Sequence, residues 1–125
     1  MNLVDSSGWL EYASGSSSGK HFRQPIHALS ELVVPSVVLF EVFKKMLLVK
    51  GEREALRVSA HMLKGHVVPL DAALALDAAY FSKEYGIAMA DSIIYATAKM
   101  KAATIWTQDA DFKGLENVKY FPKKS

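Results

Sequence analysis

Hydrophobic residues fall along the chain in two alternating patterns: short unbroken apolar runs, and longer segments with apolar positions three or four apart. The first run, Met1–Val4, has no helical period and ends at Asp5, followed by Ser6, Ser7 and Gly8, as a buried strand does when it passes into a helix start. Trp9, Leu10, Tyr12 and Ala13 then suit one or two helical turns. Ser14–Gly19 (SGSSSG) reads as a loop, rich in residues that favour turns and flexibility. Lys20–Ser30 reads as an amphipathic helix, irregular near Pro25, and Leu32–Val34 as a second strand ended by Pro35. Ser36 is placed to cap a helix through Val37, Phe40, Phe43, Met46 and Leu47 to Gly51, and a second helix, Glu52–Leu63, is closed by Gly65. Val67–Leu70 is the third strand candidate, after which Asp71 caps a helix reaching Tyr85, before Gly86. Met89–Ala102 is a further helix with Asp91 in its first turn, Ala103–Thr107 a fourth strand, and Val118–Phe121 a fifth ahead of the basic Lys123 and Lys124.

Short apolar strands alternating with helices of this length predict an α/β fold, with helices on both faces of a parallel sheet. A chain of 125 residues, half of them apolar, suffices for one domain over residues 1–125 and is too short for two. Charged residues at 22% and a net charge of +2 disfavour disorder. The absence of cysteine removes disulfides, Fe–S clusters, thiolate zinc sites and cysteine nucleophiles together, in keeping with a reducing cytoplasm. No apolar stretch of about 18 residues exists, so no membrane span is expected. Asp5 stands where a secretory signal would carry lysines, and the protein reads as unexported.

Ligands of an open parallel sheet bind at the carboxyl ends of its strands. The first strand ends on Asp5 and the fourth on Thr107, Gln108 and Asp109, while Glu41 lies inside VPSVVLFEVF and Asp91 inside IAMADSIIYATA. Each acid has an ordinary structural explanation. Asp5 suits an N-cap, Glu41 a surface pair with Lys44 or Lys45, Asp91 a helix dipole, and Asp109 with Asp111 an Asx turn. Those explanations leave unexplained why four acids sit in apolar surroundings, in an order that a sheet can bring together. Clustered carboxylates repel and are costly to desolvate, so a fold keeps them mainly where a cation neutralises them. Oxygen ligands alone favour Mg²⁺ or Mn²⁺, and carboxylate-bound Mg²⁺ favours phosphodiester or phosphoryl-transfer chemistry.

Other chemistries find less support. The four histidines form no HxxxH or HExxH pair, so they read as surface or packing residues, and no glycine-rich phosphate loop is present. A haloacid-dehalogenase-like phosphatase with Asp5 as nucleophile would want an acid two residues on, where Ser7 stands.

LVDSS, VPSVVLFEV, MADSIIYATA and TIWTQDADF, in this order, resemble the PIN-domain ribonucleases, and among them the VapC toxins of toxin–antitoxin pairs. The resemblance spans nearly the whole chain. It implies a three-layer α/β/α sandwich around a short parallel sheet of four to five strands. It also implies that Asp5, Glu41, Asp91 and Asp109 are catalytic, metal-binding carboxylates, with Asp111, Thr107 and Ser6 as accessory groups. The activity implied is Mg²⁺-dependent endoribonuclease cleavage, with Mn²⁺ as a substitute, leaving 5′-phosphate and 3′-hydroxyl ends. Gln108 stands where the family often has asparagine, and the loop after the first helix is unusually rich in serine. The implied partners are an RNA substrate, a VapB-like antitoxin and a second copy in a homodimer, with no membrane. The alternative is a catalytically silent PIN-like module that binds RNA or protein.

Lys44 and Lys45, one turn from Glu41, are the expected RNA-binding residues. The segment Ser36–Leu63 also carries more apolar residues than a small sheet needs to cover it, as surface for antitoxin or dimer would. Charge then takes on a different meaning. Setting Asp5, Glu41, Asp91, Asp109 and Asp111 aside from the 13 acids leaves 8 against 15 bases, so the remainder of the chain is basic and suited to RNA.

Overall fold

The apolar runs become five short strands in the computed structural model, which describes residues 1–123. The strands β1 (Asn2–Val4), β2 (Leu32–Pro35), β3 (His66–Val68), β4 (Thr104–Thr107) and β5 (Val118–Tyr120) lie in the order β3-β2-β1-β4-β5. Every pairing is parallel, with Leu3 opposite both Val33 and Ile105. The sequence shows why: Leu3, Val4 and Leu32–Val34 have no exposed surface, and strands buried on both faces read as continuous apolar runs.

The helices are α1 (Ser6–Ala13), α2 (Arg23–His27), α3 (Ser36–Val49), α4 (Glu52–Met62), α5 (Ala72–Tyr85) and α6 (Met89–Lys101). They complete an α/β/α sandwich, in which α1 and α2 lie against β1, α6 lies over β2 and β4 with α5 packed on it, and α3 and α4 form a hairpin. Trp9, Phe22, Ile26, Tyr95, Ile105 and Phe112 fill the core. Among the described residues, no helix is long and apolar enough to cross a membrane.

Several local expectations change. The helix expected over Lys20–Ser30 is three pieces: a 3-10 helix at Ser17–Phe22, then α2, then a 3-10 turn at Leu29–Glu31. Ala28, at φ −83° and ψ 69°, leaves helical geometry and separates the last two. The last two residues of the serine-rich segment are packed against α1 instead of looping through solvent. Ser18 and Gly19 are buried, and a Cβ at Gly19 would lie 2.8 Å from the Glu11 carbonyl oxygen. Ser36 does not cap α3; Pro35 holds the cap position, and the Ser36 hydroxyl accepts the Leu70 N–H at 3.2 Å, which ties down the chain after β3. The third strand stops at Val68, before Pro69 with its missing donor. Helix α1 begins at Ser6, ahead of Trp9. Asp71 caps α5 as expected, accepting the Leu74 N–H at 2.9 Å, and Gly86 ends it in the left-handed region at φ 66°. Lys124 lies outside the described residues.

Candidate metal centre

Strand order reverses direction between β1 and β4, and in an open parallel sheet this switch point is where ligands bind, beyond the strands' carboxyl ends. Asp5 immediately follows β1, and Asp109 follows β4 with Gln108 between. The second turn of α3 brings Glu41, the first turn of α6 brings Asp91, and a 3-10 turn at Ala110–Phe112 brings Asp111.

Asp5 is 3% exposed and both caps α1 and faces the switch point. Its Oδ1 accepts the Gly8 N–H at 3.0 Å and the Ser7 hydroxyl at 2.8 Å, and its Oδ2 accepts the Thr107 hydroxyl at 2.6 Å. Gly8 permits the close approach, since a Cβ there would meet Val4 at 2.7 Å and Phe22 at 2.8 Å. Burial outweighs the three donors and, with the charge of Asp109 added, pushes the Asp5 carboxyl up to about 6. Asp91 is half-buried and pushed up to about 7, first by desolvation and then by the charges of Asp109, Asp111, Asp5 and Glu41. One carboxylate therefore feels all four of the others.

Carboxylate oxygens of Asp91, Asp109 and Asp111 lie within 4.8 Å of one another. Asp111, expected as an accessory, thus stands in the tightest group, while Asp5 and Glu41 flank it. Glu41 is fixed by the Ser6 hydroxyl at 2.5 Å. The Thr107 hydroxyl accepts the Asp109 N–H at 2.8 Å while donating to Asp5, so a single side chain holds the ends of β1 and β4 in register. The donor set is oxygen only, its charges are mutually repulsive and partly desolvated, and none of the three acids makes a salt bridge among the described residues. Those properties fit a hard divalent cation such as Mg²⁺ or Mn²⁺.

Two contributors had not been singled out in the sequence. Ser7 donates to Asp5 and accepts the Gln108 N–H at 3.1 Å, and its place two residues after a capping acid was the available signal. Gln108, 7% exposed, donates from Nε2 to Glu11 at 3.1 Å, and no pattern in the sequence marks that contact. The expected RNA-binding pair divides. Lys45 lines a cavity that also takes in Asp109, whereas the Lys44 ammonium lies 5.9 Å from the Phe40 ring centre. The four histidines are engaged elsewhere: His21 stacks on Phe121, and His27, His61 and His66 bond Tyr12, the Ile26 carbonyl and the Ser30 carbonyl.

The family model for the PIN domain matches residues 3–117. The chain belongs to the PIN-domain family. No curated protein matches it by sequence. Among solved structures, its PIN fold is similar to a toxin–antitoxin complex from Klebsiella pneumoniae, with TM-score 0.82 and 19% identity over 98% of this chain and 100% of that one. It is also similar to the sarcin–ricin-loop-cleaving toxin VapC20 of Mycobacterium tuberculosis, with TM-score 0.79 and 18% identity over 94% of this chain and 97% of that one. FitAcB from Neisseria gonorrhoeae has TM-score 0.69 and 19% identity, with 98% of each chain covered. At such identities the likeness is one of fold, and it agrees with the five-stranded parallel sheet of this PIN domain.

Proposed function

We propose that the chain, a single PIN domain over residues 1–125, is the toxin of a toxin–antitoxin pair. Its activity is Mg²⁺-dependent endoribonuclease cleavage, with Mn²⁺ able to substitute, leaving 5′-phosphate and 3′-hydroxyl ends. The observation that carries this reading is the convergence of Asp91, Asp109 and Asp111 within 4.8 Å, flanked by Asp5 and Glu41. Asp91, Asp109 and Asp111 would hold the cation, with Asp5 and Glu41 completing the acidic wall. When bound, the cation supplies Lewis-acid chemistry that lowers the pKa of water and offsets phosphate charge.

The chain's own groups do the positioning. Thr107, Ser7 and Gly8 fix the Asp5 carboxylate, and Ser6 fixes Glu41, so the wall is set before substrate arrives. With its carboxyl pushed up to about 7, Asp91 is partly protonated near neutrality, and a cation held there would favour its charged form.

The likeness to a toxin–antitoxin complex from Klebsiella pneumoniae supports a VapB-like antitoxin as partner. Exposed apolar side chains on α3 and just after α4 support the same partner and a homodimer; Phe40, Leu48 and Leu63 are 63%, 75% and 58% exposed. The lack of cysteine and the RNA substrate both favour the cytoplasm as its place of action.

The test is incubation of the purified chain with structured RNA, with and without Mg²⁺ or Mn²⁺, beside Asp5→Asn and Asp91→Asn. Cation-dependent cleavage that both substitutions abolish is expected. Cleavage that survives both, or that ignores EDTA, would overturn the assignment to this site. If induced expression leaves growth unaffected while the protein cuts RNA, the toxin role falls and the nuclease role stands.

A further inference from the structure

We infer that the groove between α1 and α3 beside the acid cluster is a second phosphate subsite, in which Lys45 and Lys123 grip a non-scissile phosphate of the RNA strand. This rests on the nuclease reading and gives the substrate a direction of entry. The groove is a cavity of about 410 Å³ whose lining includes Lys45 from α3, Leu10 and Glu11 from α1, Gln108, Asp109 and Lys123. Asp109 belongs both to this cavity and to the carboxylate group, so the groove opens directly onto the acids.

Lys45 lies four residues after Glu41 on α3, hence on the same helical stripe, while Lys44 turns toward Phe40. Lys123 reaches the same cavity from the chain after β5. Neither lysine makes a salt bridge among the described residues, so both ammonium groups are available to a ligand. The one further acid in the groove is already engaged: Glu11 accepts from Gln108 Nε2 at 3.1 Å and from Ser14 at 3.4 Å. Those hydrogen bonds, with the nearby Lys123 charge, hold its carboxyl below the usual range.

Leu10 and Lys45 also border a smaller hollow of about 150 Å³, completed by Ser14, Met46, Val49 and Lys50. Charge followed by hydrocarbon is the order that a nucleotide presents, phosphate and then base face. The acids thus address the scissile phosphate, the lysine pair its neighbour along the strand, and the apolar hollow the attached base.

The test uses the full chain and a short single-stranded RNA, with binding measured in EDTA across a KCl series and cleavage measured in Mg²⁺. Lys45→Gln and Lys123→Gln are each expected to flatten the slope of log affinity against log salt by about 0.7, the value for one phosphate contact on a single strand. The double variant loses about twice that, and its KM rises roughly tenfold while kcat changes little. Lys101→Gln, about 15 Å along α6 from Asp91, serves as the charge control and leaves slope and KM unchanged. An unchanged slope and KM in the double variant overturns the subsite while the nuclease reading stands. Equal flattening by Lys101→Gln also overturns it, because the lysines would then act only through net charge. If the wild-type chain cleaves no RNA yet both groove substitutions flatten the slope, the subsite stands and the nuclease reading falls. Weakened binding of polyglutamate with RNA binding intact assigns the groove to an acidic peptide and overturns the proposal.

Discussion

The carboxyl edge of the sheet and the α3–α4 hairpin depart from ordinary folding preferences in opposite senses. At the sheet edge, Asp5 is buried and Asp91 half-buried, and neither makes a salt bridge among the described residues. On the hairpin, Phe40, Leu48, Val49 and Leu56 are all more than half exposed on helices whose inner faces are already packed. One region places charge where hydrocarbon belongs, and the other places hydrocarbon where charge belongs. Neither arrangement stabilises the isolated chain, and departures of this kind gather at functional sites. The difference lies in what would relieve each: a cation at the edge, and an apolar partner surface on the hairpin.

The contrast breaks most visibly at Asp5. At pH 7.5, Asp5→Asn is expected to lower RNA cleavage by more than about a hundredfold while raising the stability of the metal-free chain, as read by urea unfolding. A variant that loses both activity and stability would make Asp5 a simple structural cap. Next, within α3 alone, Met46→Ala should cost about 2–5 kcal/mol because Met46 is 5% exposed, whereas Leu48→Ala at 75% exposure should stay within about 0.5 kcal/mol. If Leu48→Ala proves equally costly for the isolated chain, the hairpin's outer face is core and needs no partner.

The pH dependence follows from the two raised carboxyls. The folded state binds their protons more tightly than the unfolded state does, so protonation favours folding. Stability of the metal-free chain is therefore highest below about 3.8 as far as these groups are concerned. It falls as pH rises to about 6 for Asp5 and about 7 for Asp91, with the full deficit above that. Asp5 contributes about 3 kcal/mol to this fall. Saturating Mg²⁺ should flatten the profile, and a profile that rises over pH 4–7 with Asp5→Asn unaltered would contradict the assignment. A smaller effect than that of Asp5 belongs to Ser6→Ala, which frees Glu41 at about 1 kcal/mol and should change cation affinity more than the unfolding midpoint.

Much of this was legible in the chain because buried parallel strands must be apolar along their whole length, as Leu3–Val4 and Leu32–Val34 are. The acids stood out for the complementary reason: Asp5 and Asp109 follow the ends of such runs, and Glu41 and Asp91 lie inside apolar helical segments. Tertiary contacts were what the sequence concealed. Asp5 is at once a cap and a member of the cluster, so the two readings were never alternatives. Asp111 looked peripheral because its proximity to Asp91 depends on the fold of α6 against the turn after β4. The Ser17–Phe22 stretch followed its packing on α1 instead of its periodicity, and Gly19, small enough to lie against the Glu11 carbonyl, fits that packing.

The buried charge at the sheet edge awaits a cation, and Mn²⁺ titration followed by the EPR signal of the free ion tests this directly. The wild-type chain at pH 7.5 is predicted to bind Mn²⁺ saturably, more weakly as pH falls below about 7, with binding lost in Asp91→Asn and Asp109→Asn. Equal Mn²⁺ binding in wild type and both variants, or none in any of them, would contradict it.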